Sequence, residues 1–458
     1  MGKTMHQLIR QALEQRAAAN NPVRIALVGC GRFGTSVAAQ ISQIPGMLLV
    51  AAVDPKIANG QSALEAAGWT RTQWQQVESA KSAAVAADTG HAVLGPDEEI
   101  LDLLNIDVVV EATGHPEVGA ASALRAIRLG RHVIMVTVEA DVTCGWALAN
   151  EARSQGVIYS LTAGDQPGTI MELLDWAQTC GLKVVAAGRG TKFYPSDADG
   201  NPSEAFGRYG YNAELVERRR LNPNMYNSFR DGTKAQIEMC AVSNMTGLPP
   251  DVRGMHQPSA SLHDIPMLFT SKAKGGLLEN EGVVDLANAV SLDGQTLVPN
   301  HIEIGVWVVV TSEQGLIRED LSFYGLPTDP SGERALLYRP FHLCGVETPV
   351  TIAQAALLKT PTGTPQNQPT SEVVAVAKRS LSPGDVLDGS GGKNVGGIIE
   401  RRSIVARDKL LPLGFAYGAA VNQQVRSGEV IPSAAVPRQT GTLVKLREAA
   451  NPARDSSK

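Results

Sequence analysis

Hydrophobic residues in the first third of the chain recur in short runs rich in β-branched side chains, separated by segments of helical periodicity. The predicted strands are 23–28, 47–53, 106–110, 132–138 and 157–160. Helices are predicted over 3–19 and 122–129, and 88–96 is expected to be an irregular connection. Such alternation is typical of parallel βαβ units covered by helices on both faces. We therefore predict an α/β fold with a doubly wound parallel sheet.

The pattern changes near residue 166. Helices are predicted over 170–179 and 212–220, and strands over 183–187 and 302–311. The stretch 188–208 is polar and rich in glycine and proline, and its first part, 188–192, is expected to be flexible. Thr233 and Gln236 have the spacing of a capping box, which would start a helix running to Asn244. This part is predicted to be an α+β region with a sheet of its own.

The last quarter is different again. The stretch 359–370 is polar, contains three prolines and lacks periodicity, as linkers do. Short strands at 372–377, 385–387 and 398–399 follow, separated by glycine turns, and the polar tail is expected to be loose. The predicted domains are 1–165 (an N-terminal helix and a nucleotide-binding domain), 166–358 (an α+β substrate and dimerisation domain with a return helix), 359–370 (linker), 371–437 (a small, mostly β domain) and 438–458 (tail).

Composition narrows the classes of function. The 458 residues include 41 basic and 46 acidic side chains, a formal charge of −5, which does not suggest a nucleic-acid surface. No apolar run has the length of a membrane span, and the N-terminus lacks the apolar core of a signal peptide. The five cysteines are scattered and form no metal-binding pair or disulfide pattern. We expect a cytoplasmic homodimer or homotetramer that acts on a small molecule, without nucleic-acid or membrane partners.

The strongest motif is a glycine turn between the first strand and the next helix. Gly29, Gly31 and Gly34 enclose Cys30, Arg32 and Phe33 in the G-x-G-x-x-G pattern of dinucleotide-binding Rossmann domains. Gly29 permits the tight turn, Gly31 the approach of a pyrophosphate and Gly34 the packing of helix on strand. A purely structural glycine turn is the alternative. The motif predicts that Gly29, Gly31, Arg32, Phe33 and Gly34 bind NAD or NADP.

Other candidate cofactor contacts follow three of the predicted strands. Asp54 follows the second strand, where a carboxylate accepts from a ribose hydroxyl and favours NAD, although Lys56 could balance a 2′-phosphate. Ala112, Thr113 and Gly114 follow the third strand, and Glu139 follows the fourth, on the side where the nicotinamide would lie. His115 is either a catalytic acid or an ordinary residue at a helix start.

Candidates for catalysis and substrate binding lie in the second region. Lys192, preceded by Arg189, could donate to a carbonyl oxygen that gains negative charge, or could be part of a solvated loop. Lys234 opens a largely apolar helix with Glu238 one turn later, and an ordinary surface pair is the alternative. Asn227, Ser228 and Arg230 add donors for an anionic substrate. Asp165 is either a helix cap or a catalytic group.

A bound metal ion is not supported by the sequence. The acidic segment 197–201 suggests a calcium loop, but an EF-hand starting at Asp197 would need glutamate where Arg208 stands. A divalent metal stays possible but unsupported, and no metal ligand is assigned.

Several segments carry a resemblance to known oxidoreductases. The segments 111–114 and 138–143 resemble those of homoserine-dehydrogenase-like NAD(P)-dependent enzymes. The segments 164–168, 228–234 and 337–343 are similar to those of the branch that contains the deoxyxylulose-phosphate reductoisomerase-like enzymes. The C-terminal segments 374–377 and 382–387 resemble a SAF (β-clip) domain. Gly164–Gly168 replaces the asparagine- and threonine-rich signature of true homoserine dehydrogenases.

The resemblance implies a substrate class as well as a fold. It implies an NAD(P)-dependent oxidoreductase that acts on a small hydroxy or carbonyl compound such as a sugar- or polyol-phosphate, and that could be a reductoisomerase. It also implies Lys192 as a catalytic group and Arg230 and Lys234 as substrate or phosphate binders. The alternatives are a dehydrogenase of the homoserine type and a non-catalytic NAD(P)-binding sensor whose SAF module binds a ligand.

Overall fold

The structure, a computed structural model, describes residues 4–450. Residue 3 of the predicted helix and residues 451–458 of the predicted tail lie outside the described range. The chain forms two compact units built from interleaved segments. The first contains 4–165, 343–367 and 440–450, and the second contains 166–342 and 368–439. The domain boundaries expected from the sequence stay predictions.

The first unit is built on a seven-stranded parallel sheet, which confirms the doubly wound α/β prediction. The strand order is β3-β4-β2-β1-β5-β6-β7. The strands are β1 Val23–Val28, β2 Met47–Val53, β3 Trp74–Gln76, β4 Ala92–Gly95, β5 Val108–Glu111, β6 His132–Met135 and β7 Tyr159–Leu161. The helices are α1 Met5–Ala18, α2 Arg32–Ile41, α3 Ile57–Ala66, α4 Ala80–Asp88, α5 Pro116–Arg128 and α6 Val138–Ser154.

Two strands of this sheet were not expected from the sequence. The stretch predicted to be irregular contains β4, which pairs in parallel with β2 and with the missed edge strand β3. Both strands are only three or four residues long, and two of the three residues of β3 are exposed glutamines. Strands this short have too few positions to show periodicity. Their conformation is fixed by pairing, of β4 with β2 and of β3 with β4, rather than by local pattern.

The core of the first unit explains why the helices pack where they do. Ile25 and Leu27 of β1 are fully buried with Val37 and Ile41 of α2. The N-terminal helix α1 adds Ile9 and Leu13 to the same cluster, whereas its Met5 and Leu8 are exposed. This packing holds the start of α2 directly after the end of β1, where the glycine turn lies.

The second unit contains a four-stranded mixed sheet in the order β11-β10-β8-β9. Its strands are β8 Lys183–Thr191, β9 Val283–Asn288, β10 Val306–Thr311 and β11 Ala335–Arg339. The helices are α7 Gln166–Thr179, α8 Ala205–Arg208, α9 Ala213–Arg219, α10 Pro223–Arg230, α11 Thr233–Thr246, α12 Ile265–Leu268 and α13 Gly315–Phe323. This agrees with the α+β region expected from the sequence.

The prediction that residues 188–191 form a flexible loop is wrong. They continue β8, which pairs with both β9 and β10. A Cβ on Gly188 would lie 2.1 Å from the carbonyl oxygen of Asp285, and one on Gly190 would lie 1.6 Å from that of Ile302. The two glycines therefore serve close approach of neighbouring backbone rather than flexibility.

The predicted capping box at the start of α11 is also wrong. The Thr233 hydroxyl accepts a hydrogen bond from the backbone N–H of Gly397 at 3.0 Å. The Gln236 side chain accepts from the N–H of Ile399 and donates to the carbonyl of Gly254, both at 3.0 Å. Both side chains therefore bond to distant segments of the chain instead of forming the local hydrogen bonds of a capping box.

After β11 the chain returns to the first unit, where helix α14 Thr348–Ala353 continues into a π-helical turn at Gln354–Leu358. It then contributes a mostly β segment to the second unit: β12 Ser371–Ala377, β13 Val386–Asp388, β14 Val395–Arg401, α15 Arg402–Asp408 and β15 Tyr417–Ala420. β12 pairs with β14, and β13 with β15, both antiparallel.

The last part of the described chain is an ordered helix, α16 Thr442–Ala449, where the sequence suggested a loose tail. Leu443 and Leu446 are buried. The Glu117 carboxylate accepts from the first amides of α16, and Arg447 donates to the carbonyl of Thr143 at 2.7 Å. Within residues 4–450, no helix is both long and apolar enough to cross a bilayer.

A buried histidine makes the stability of the first unit depend on pH. Nδ1 of His132 accepts from the N–H of Ile158 at 3.0 Å, and Nε2 lies 2.7 Å from Nζ of Lys359. Burial, aided by the Lys359 charge, lowers the pKa of His132 from 6.5 to about 4. The unfolded chain therefore takes up a proton first, so this stabilisation is full above about pH 6.5 and is lost as pH falls through about 4.

We predict that His132→Gln reduces the loss of unfolding free energy between about pH 7 and pH 4.5. Chemical denaturation at both pH values measures it, and the exposed His6→Gln serves as the control. An equal acid sensitivity of native protein and His132→Gln would contradict the assignment.

Candidate functional site

The glycine turn lies at the carboxyl end of β1, in the place where parallel sheets bind nucleotides. Gly29 has φ of +89°, and a Cβ there would lie 2.5 Å from the backbone carbon of Ala112. A Cβ on Gly34 would lie 2.2 Å from the carbonyl oxygen of Gly29. Both glycines are therefore required by the packing of the turn itself.

Gly31 differs from its two neighbours in the motif. No non-adjacent atom in the described part of the chain lies within 4 Å of the position that a Cβ would take on Gly31. It is the residue before the first turn of α2, whose leading amides have no acceptor within the helix. This surface is open to an anionic ligand, as close approach by a pyrophosphate requires. Arg32 is exposed here, and Phe33 packs on the core.

Asp54 follows β2 and contacts the glycine turn. One carboxylate oxygen accepts from the N–H of Cys30 at 2.9 Å. The other accepts from the N–H of Lys56 at 2.8 Å and from the Asn59 amide at 3.3 Å. Only 7% of Asp54 is exposed. The carboxylate thus fixes the turn and places a negative charge beside it.

The segment after β5 is brought to the same edge of the sheet. Ala112 lies against Gly29, and Thr113 donates its N–H to Glu111 at 2.9 Å. The N–H of Gly114 donates to the Thr137 hydroxyl at 2.9 Å, which joins the ends of β5 and β6. Glu139 follows in the first turn of α6 and is buried. The structure therefore brings Ala112, Thr113 and Gly114 together with the glycine turn.

Glu111 is a polar group at this edge that the sequence analysis did not assign to the site. It is fully buried, and burial raises its pKa. One of its carboxylate oxygens has no hydrogen-bond partner among residues 4–450. A Cβ on Gly119 would lie 3.0 Å from that oxygen. A charged residue ending a run of three valines was the signal in the sequence. His115, at the start of α5, has a pKa lowered by burial.

In the second unit, Lys192 and Arg189 lie along and just beyond β8. Nζ of Lys192 is 3.6 Å from Oε1 of Glu303, and 37% of the Lys192 side chain is exposed. Arg189 is buried and pairs with Glu238 of α11. Lys234 is buried in the first turn of α11.

The three remaining substrate candidates have structural contacts. Asn227 is fully buried and donates to the carbonyls of Gly200 and Gly391, each at 2.9 Å. Ser228 donates to the carbonyl of Met225 at 2.6 Å. Arg230 is buried against Asp197, to which its Nε donates at 3.1 Å. Their role in substrate binding stays a prediction. Asp165, the last residue of the first unit's long segment, is 8% exposed.

Among residues 4–450, the His, Cys, Asp and Glu side chains form no group of three or more that could hold a metal ion. Asp197 instead pairs with Arg230 and Arg208.

Comparison with protein families gives a match in the second unit. Residues 164–348 match the family model described as the catalytic domain of oxidoreductase DRL. The match includes Lys192, Lys234 and their neighbours, and it indicates that the chain is an oxidoreductase enzyme. No curated protein matches the chain.

Several solved structures are similar at low identity. An oxidoreductase from Agrobacterium radiobacter in complex with NAD+, L-tartaric acid and magnesium is 13% identical, with a TM-score of 0.27 over 38% of this chain and 44% of that one. A probable dehydrogenase from Thermotoga maritima is 13% identical, with a TM-score of 0.36 over 74% and 90%. A DOX-P reductoisomerase in complex with magnesium is 14% identical, with a TM-score of 0.30 over 48% and 57%.

The chain thus spans less than half the length of the first of these structures.

Gly31 and Gly34 have different surroundings, so replacing each of them by alanine should have different effects. Gly31→Ala should leave the free energy of unfolding within about 0.5 kcal/mol of native, because its Cβ meets no non-adjacent atom of residues 4–450. It should weaken NAD(P)H binding at least tenfold, about 1.4 kcal/mol, by blocking the pyrophosphate. Gly34→Ala should instead destabilise the fold by about 1–3 kcal/mol.

Denaturation and fluorescence titration with NADH measure the two effects. Gly207→Ala, also free of nearby atoms, is the matched control and should change neither. Native affinity for NAD(P)H in Gly31→Ala would show that the turn does not hold the cofactor.

Proposed function

We propose that the chain is an NAD(P)-dependent oxidoreductase acting on a small hydroxy or carbonyl compound, a sugar- or polyol-phosphate. The observation that carries the cofactor assignment is the turn at Gly31, which is open to a ligand while Gly29 and Gly34 are packed against backbone. The oxidoreductase match over 164–348 supports the reaction class.

The residues at the edge of the parallel sheet fit a dinucleotide. Gly31 and the first-turn amides of α2 would hold the pyrophosphate, and Asp54 would accept from a ribose hydroxyl. Ala112, Thr113, Gly114 and Glu139 would line the nicotinamide side. When bound, the nicotinamide gives or takes a hydride at its C4 atom.

Lys192 is the proposed proton donor to the substrate oxygen. It is a third exposed, whereas Lys234 and Arg189 are buried, so its ammonium group can reach a small molecule. In the direction of reduction, Lys192 donates to the carbonyl oxygen as negative charge develops on it. Lys234 would orient the substrate's anionic group.

A reductoisomerase of the deoxyxylulose-phosphate type is the proposed subclass, supported by the resemblance of segments 164–168, 228–234 and 337–343. In such a reaction a skeletal rearrangement precedes reduction. Assays with ketose phosphates and with simple hydroxy-aldehydes separate a reductoisomerase from a dehydrogenase. Tight cofactor binding without turnover of any of these compounds would favour the sensor alternative instead.

The charge of Asp54 predicts preference for NADH over NADPH, because a carboxylate repels a 2′-phosphate. We expect KM for NADPH to exceed KM for NADH by about tenfold or more, a difference of about 1.4 kcal/mol. Asp54→Asn should lower the ratio of the KM for NADPH to the KM for NADH. Asp88 is exposed, and Asp88→Asn should leave this ratio unchanged. An NADPH preference in the native enzyme would overturn the assignment.

Removal of the Lys192 ammonium should remove acid catalysis. We expect Lys192→Met to lower kcat by about 10²–10⁴-fold without loss of NADH binding. Lys274→Met is the matched control, since Lys274 also pairs with a glutamate on the surface of the second unit. Loss of NAD(P)H absorbance measures turnover, and a kcat within about twofold of native would exclude Lys192 from the mechanism.

A further inference from the structure

The side chain of Lys378 links the C-terminal β segment to the residues just before α11. Its ammonium donates to Asp231, to the carbonyl of Gly200 and to the carbonyl of Gly392, each at 2.8 Å. The Lys378 side chain is 4% exposed and that of Asp231 is 0% exposed. A buried charge persists only where partners satisfy it, and here three oxygen atoms satisfy one ammonium group.

Asp231 connects Lys378 to the start of α11. One of its oxygens binds Lys378, and the other accepts from the N–H of Thr233 at 2.9 Å. The N-cap residue is Gly232, with φ of +84°, which has no side chain to serve as a cap. Burial raises the pKa of Asp231, and the Lys378 charge opposes that rise. The first amide of the helix therefore depends on a carboxyl group that is itself bound by Lys378.

The β segment also binds the first turn of α11 directly. Thr233 accepts from the backbone of Gly397, and Gln236 accepts from that of Ile399, both on β14 and both at 3.0 Å. Lys234 lies between these two anchored residues. One turn later, Glu238 pairs with Arg189 of β8. The backbone that carries Lys234 is thus held by β14, by Asp231 with Lys378 and by β8.

We propose that Lys378 is a positioning residue for Lys234, and that the segment containing β12–β15 is part of the catalytic machinery rather than a separate ligand-binding appendage. The effect on turnover rests on the proposed function, in which Lys234 orients the substrate. The structural effect of Lys378 on α11 does not depend on the proposed function.

Two variants test the proposal. Lys378→Met alone would leave a buried carboxylate without its cation, so we combine it with Asp231→Asn, which removes both charges at nearly constant volume. Lys378→Arg retains the charge but cannot place a single nitrogen among the three oxygen atoms. Arg407→Met is the control, because Arg407 forms an exposed pair with Asp408 in the same β segment.

The first readout is hydrogen exchange of the amides of residues 233–237, followed by mass spectrometry. We expect protection to fall about tenfold or more in the double variant and severalfold in Lys378→Arg, and to be native in Arg407→Met. Native protection in either Lys378 variant would overturn the proposal, whatever the enzyme's substrate.

The second readout is turnover with NADH and the best ketose phosphate. We expect kcat to fall about tenfold or more in the double variant, with the NADH KM unchanged and the pH profile of kcat displaced. A native kcat and pH profile in a double variant that has lost protection would exclude the positioning role. If the native chain turns over no substrate, the proposed function fails, and hydrogen exchange still decides whether Lys378 holds α11.

Discussion

The close approach of the turn after β1 to the end of β5 is the constraint on which the candidate cofactor site depends. Gly29 lies so near the backbone of Ala112 that a Cβ would overlap it, and Gly34 lies equally near the carbonyl of Gly29. The turn is therefore compressed between a strand end and a helix start. This leaves Gly31 and the first amides of α2 as the open surface, with Asp54 fixing the turn from the side of β2.

Much of this arrangement could be predicted from the sequence, because it depends on local patterns. The β-branched runs indicate the central strands, and the spacing of Gly29, Gly31 and Gly34 indicates the turn. Sequence patterns did not predict the backbone conformation where contacts with residues distant in sequence determine it. The short strand β4 forms by pairing with β2, and β3 by pairing with β4. Gly188 and Gly190 are glycines because other backbone segments pass close to them.

In the second unit, sequence pattern likewise does not reveal the partners of the charged residues. The sequence contains Arg189, Arg230 and Lys378, but it does not show that each would be buried with one acidic partner. Their partners Glu238, Asp197 and Asp231 lie between 33 and 147 positions away. Because these pairs form through tertiary packing, residues that looked like ligands for a substrate anion are engaged within the fold. Lys192, paired loosely with Glu303 and a third exposed, stands apart from them.

The central claim is that the parallel-sheet unit binds a nicotinamide dinucleotide at the turn around Gly31. Isothermal titration calorimetry of the unmodified chain with NADH tests this binding most directly, and it needs no substrate. We predict saturable binding of one NADH per chain, and NAD+ should compete with NADH for this site. Absence of binding by both NADH and NADPH at millimolar concentration would contradict it.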